Sequence, residues 1–114
     1  MNDFTKSEKR AVRELLGKAH EAEIAAALVD VESAIQEWRR GQILPGDVSE
    51  RINRFHQENQ EIFKQYNYLD PMLALARAVA FGFITAEQVP DALRLRVNEL
   101  KTLAPSLERG TGVC

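Results

Sequence analysis

The chain has 114 residues, 45% hydrophobic and 28% charged, a size and balance that suit one domain built around one core. Fifteen basic against seventeen acidic residues leave a net charge of −2, which excludes the broad positive field of a strongly basic nucleic-acid-binding domain. The single cysteine is Cys114, so no internal disulfide can form, and the composition fits a reducing, cytoplasmic setting.

The opening MNDFTKSEKR has no apolar run of the signal-peptide kind. No stretch reaches the ~18 apolar residues of a membrane span, so no membrane partner is expected. Thr5 and Glu8 stand at the spacing of a capping box. From there Val12, Leu16, Ile24, Leu28, Val31, Ile35 and Trp38 step by threes, fours and one eight, with His20 in the vacant place. That stripe predicts a long helix over about 5–40, closed by Arg39, Arg40 and Gly41. Gly17 costs ~1 kcal/mol relative to alanine inside a helix, so the pattern admits one helix or two pieces, 5–17 and 19–40.

QILPGD then breaks the helix, since proline lacks an amide donor and glycine frees the backbone. Asp47 with Glu50 repeats the cap spacing and opens a second helix over about 47–67. Its seam runs Val48, Ile52, Phe55, Asn59, Ile62, Tyr66, alternating fours and threes as in helices that pair. Asp70 and Pro71 open a third helix over about 71–81, MLALARAVAF, in which Arg77 is the only charge and Gly82 supplies the stop. A helix with so thin a polar face is expected to be buried on most sides. Thr85 with Gln88 opens a fourth over about 86–104, with Pro90 beginning or kinking it and Leu93, Val97, Leu100 and Leu103 as its stripe. Residues 105–114 read as a flexible C-terminal tail. No strand-type alternation and no repeat occurs. The fold predicted is all-α: one domain over 1–104, a small helical bundle whose spine is the antiparallel hairpin of the first two helices.

The stretch most suggestive of chemistry is RFHQENQEIF, residues 54–63. On a helix, His56 neighbours Ile52, Asn53, Asn59 and Gln60, none of them a carboxylate, while Glu58 and Glu61 lie about 200° and 140° away. No one-helix chelate or acid–base pair forms there. His20 shares a face with Glu23, but the order is the reverse of the Glu-x-x-His pairs that bundle metal centres require. Neither a cysteine–histidine zinc spacing, a nucleophile elbow nor a glycine-rich phosphate loop is present. Glu32, Glu37, Glu58 and Glu61 alternate with apolar residues as solvated helix faces do. The sequence therefore nominates no catalytic, cofactor or metal residues.

Asn59 is more informative, because an amide in an apolar seam must find partners or cost about 1–3 kcal/mol. It either fixes the pairing of this helix or meets water at an incompletely covered edge. The small residues of the AAAL run at 25–28, together with the aromatic surplus, point to apolar surface left over on a monomer. These features predict a non-enzymatic interaction or regulatory module that associates as a homodimer or with another protein, through a face comprising Trp38, Phe55, Asn59, Ile62 and Tyr66. The alternative is a small DNA-binding, antitoxin-like regulator with a helix-turn-helix over 72–104, although its would-be recognition helix DALRLRVNELKTL is mixed in sign. A small enzyme with a pocket between helices ranks third.

Overall fold

The computed structural model describes residues 4–101, so Leu103, the tail over 105–114 and Cys114 lie outside the described residues. Four helices follow in order: α1 (Lys6–Arg39), α2 (Pro45–Asn67), α3 (Pro71–Ala80) and α4 (Asp91–Leu100), with a 3-10 turn at Ala86–Gln88 before the last. No strand occurs among the described residues. The molecule is the all-α bundle that the periodicities predict.

Local chemistry sets the ends of these helices. The Thr5 amide donates to Glu8 Oε1 at 2.9 Å and the Glu8 amide donates to Thr5 Oγ1 at 3.0 Å, a reciprocal capping box. α1 runs without a break through Gly17. The buried neighbours Leu15 and Ala19 pin the turns on either side, and packing outweighs the glycine's cost of ~1 kcal/mol. At the other end Gly41 adopts φ 76°. Its amide donates to the Trp38 carbonyl and the Gln42 amide donates to the Glu37 carbonyl, both at 2.9 Å, the two bonds of a Schellman stop. Gly82 ends α3 in the same way.

Two boundaries differ from the sequence reading. α2 begins at Pro45, two residues before the expected start, because a proline ring is already set for the first helical position. Asp47 therefore lies within the first turn, where its carboxylate accepts the Leu44 amide at 2.9 Å. The expected helix over 86–104 is divided. Val89, placed before Pro90, is held extended (φ −77°, ψ 132°), so the Thr85–Gln88 signal yields only a 3-10 turn and α4 starts afterwards.

The chain folds into an elongated body. Thirty-four residues of helix span about 51 Å, and the longest dimension is 55 Å. The radius of gyration is 16.8 Å, against the ~13 Å of a compact domain this size. α1 and α2 form the antiparallel hairpin, and α3 with α4 packs against the N-terminal half of α1. The main core lies at that end. Val12, Leu15 and Ala19 of α1 meet Met72, Leu75, Ala76 and Ala78 of α3, with Ile84, Val89, Leu93 and Val97 closing the far side. The buried stripe of α1 is thus Val12, Leu15, Ala19, Glu23, displaced by one residue, or about 100°, from the Leu16–His20–Ile24 line expected. Two layers share α1 here, and the layer formed by α3 and α4 determines its most deeply buried side.

Candidate functional site

Two features stand apart from ordinary core packing. One is a buried polar cluster and the other a bare apolar face.

The cluster joins three helices. Glu23 of α1 and Arg77 of α3 are each only 2% exposed. Arg77 Nη1 donates to Glu23 Oε1 at 2.9 Å and Nη2 donates to Oε2 at 2.8 Å, a two-pronged pair. From α2 the Tyr66 hydroxyl donates to Glu23 Oε1 at 2.9 Å. The His20 ring stacks on Tyr66, with centroids 4.7 Å apart and planes 10° from parallel. The Arg77 guanidinium lies 5.3 Å from the Phe81 ring centroid, within reach of a cation–π attraction. Burial, then the charge and hydrogen bond of Glu23, push the Tyr66 phenol well above its ordinary range, so it remains a donor. For Arg77 burial opposes the charge, but hydrogen bonding and Coulombic attraction from Glu23 outweigh it and hold the group above the usual guanidinium value. Arg77 Nε and Gln65 Oε1 are buried without a hydrogen-bond partner among the described residues. A matched ion pair closed off from solvent offers neither a free base nor a free acid. The arrangement acts as a clamp that fixes α3 and α2 on α1.

Sequence reasoning noticed both halves of this pair without joining them. Arg77 stood out as the only charge in MLALARAVAF, and Glu23 as a neighbour of His20. The usable signal was the spacing of Val12, Leu15, Ala19 and Glu23, which carries a carboxylate onto the buried line.

The second feature lies beyond the reach of α3 and α4. Over the rest of the hairpin Ala34 and Val48 are buried, whereas Leu28 is 44% exposed, Ile52 46% and Leu44 71%. Leu28, Val31, Glu32, Ile35, Gln36 and Arg39 line an open groove of about 450 Å³ along α1. An Asp30–Arg51 ion pair at 2.9 Å bridges the two helices and marks one side of the hairpin. By helix geometry Leu28 and Ile35 lie about 160° and 140° around α1 from Asp30, and Ile52 about 100° around α2 from Arg51. These apolar residues therefore turn away from the bridged side.

The expected pairing face is distributed over both regions. Trp38 is 42% exposed beside the hairpin turn, and Phe55 is half-buried in the seam. Asn59 is half-buried and lines a second open hollow, of about 500 Å³, with Gln60, Phe63, Lys64 and Tyr68; the amide sits at a partly covered edge. Ile62 is fully buried, and Tyr66 belongs to the clamp. Ile62 is thus out of reach of a second molecule, while Tyr66 is half-buried and its hydroxyl is engaged by Glu23 of α1. The structure leaves Trp38 exposed and Phe55, Asn59 and Tyr66 half-buried, and buries Ile62.

In RFHQENQEIF, His56 is exposed and lies 3.5 Å from Gln60, while Glu61 pairs with Lys64 at 3.2 Å. Among the described residues no three histidine, cysteine, aspartate or glutamate side chains gather as a metal site would require. No described helix is long and apolar enough to cross a membrane. Between α3 and α4, residues 81–90 form a connection longer than the three or four residues of a helix-turn-helix. Lys6, Lys9, Arg10 and Arg13 border an open hollow on the first turns of α1, at the far end from the bare face. Set against protein-family models, curated proteins and solved structures, the chain matches no family model, no curated protein and no solved structure.

Proposed function

We propose that the protein is a cytoplasmic, non-enzymatic interaction module that self-associates through the bare side of its hairpin. The observation that carries this reading is the open groove on α1 formed by exposed Leu28 with half-buried Val31 and Ile35, together with exposed Ile52 on α2. Apolar area grouped in this way is a liability on an isolated molecule and a driving force once covered. The buried clamp supports the same view from the other side. It commits the chain's one deeply buried acid–base pair among the described residues to holding the helices together, which suits a scaffold. The burial of Ile62 and the engagement of the Tyr66 hydroxyl by Glu23 shift the proposed face from the seam to its flank, with α1 supplying most of it.

The test is sedimentation velocity over a dilution series, comparing the native chain with a Leu28→Lys/Ile35→Lys variant. The native chain is expected to pass from dimer to monomer on dilution, and the variant to stay monomeric with unchanged helix content. A native chain that is monomeric at every concentration would refute the reading.

A further inference from the structure

We draw no further inference here: the strongest candidate, the open hollow bordered by Lys6, Lys9, Arg10 and Arg13 on the first turns of α1, is a helix N-terminus with surface cations and has no second feature among the described residues that points to a ligand.

Discussion

The two ends of α1 do different work with the same secondary structure. At its N-terminal half, Val12, Leu15 and Ala19 meet α3 and α4 and disappear from the surface, and Glu23 is drawn into a clamp with Arg77 and Tyr66. At its C-terminal half, Leu28, Val31 and Ile35 line an open groove, and Leu28 and Trp38 keep over two-fifths of their surface in water. Hydrophobic spacing is continuous along the helix, so the difference is not in α1 itself. It lies in what the rest of the chain supplies. α3 and α4 are ten residues each, about 15 Å of helix, and cannot cover a spine more than three times as long. A helical hairpin with one layer missing is stable only through its seam, and it leaves its flank to be covered from outside.

The sharpest contrast between the ends concerns the clamp. Removing one member of a buried pair strands the other, so Arg77→Met is expected to destabilise by about 3–5 kcal/mol in denaturant unfolding. Adding Glu23→Leu to that variant should recover most of the loss, since a matched apolar pair is often as stable as the ion pair. A next contrast compares two leucines. Leu75 is fully buried, and Leu75→Ala should cost about 2–5 kcal/mol. Leu28→Ala, at a largely exposed position, should cost under about 1 kcal/mol in dilute solution and act instead on self-association.

Tyr66 gives a pH signature. Tyr66→Phe removes one hydrogen bond to a charged group and is expected to cost about 1–3 kcal/mol near neutral pH. The folded state raises the phenol's pKa above its unfolded value. Its contribution is therefore complete below the unfolded value of ~10 and is lost as pH climbs from there through the folded one. The stability gap between native chain and variant should be flat below that point and shrink above it. The smallest effect expected is at Gly17, which is helical with open space where a Cβ would stand. Gly17→Ala should stabilise by about 0.5–1 kcal/mol without changing association.

How legible these features were in the sequence follows from how local they are. The Thr5–Glu8 box and the stops at Gly41 and Gly82 were readable because every participant lies within a few residues. The hairpin followed from two long periodic stripes. The divided fourth helix was less legible, since Thr85–Gln88 signals a helix start whether or not a helix continues, and Pro90 decides the matter. The clamp was hidden by separation. Glu23 and Arg77 are 54 residues apart, and the drift of the α1 stripe made Leu16–His20–Ile24 look like the buried line. Ile62 reads as part of a face for another molecule, yet it is buried within the chain, because a seam read from one helix does not say what covers it.

Amide hydrogen exchange as a function of protein concentration tests the central claim most directly, because it reads both ends of α1 in one sample. If a second copy covers the bare flank, amides over 28–39 and around Ile52 should gain protection as concentration rises. Those of α3 and of α1 near Val12 and Leu15 should change little. Protection that is independent of concentration over 28–39, or that rises equally at both ends, would contradict it.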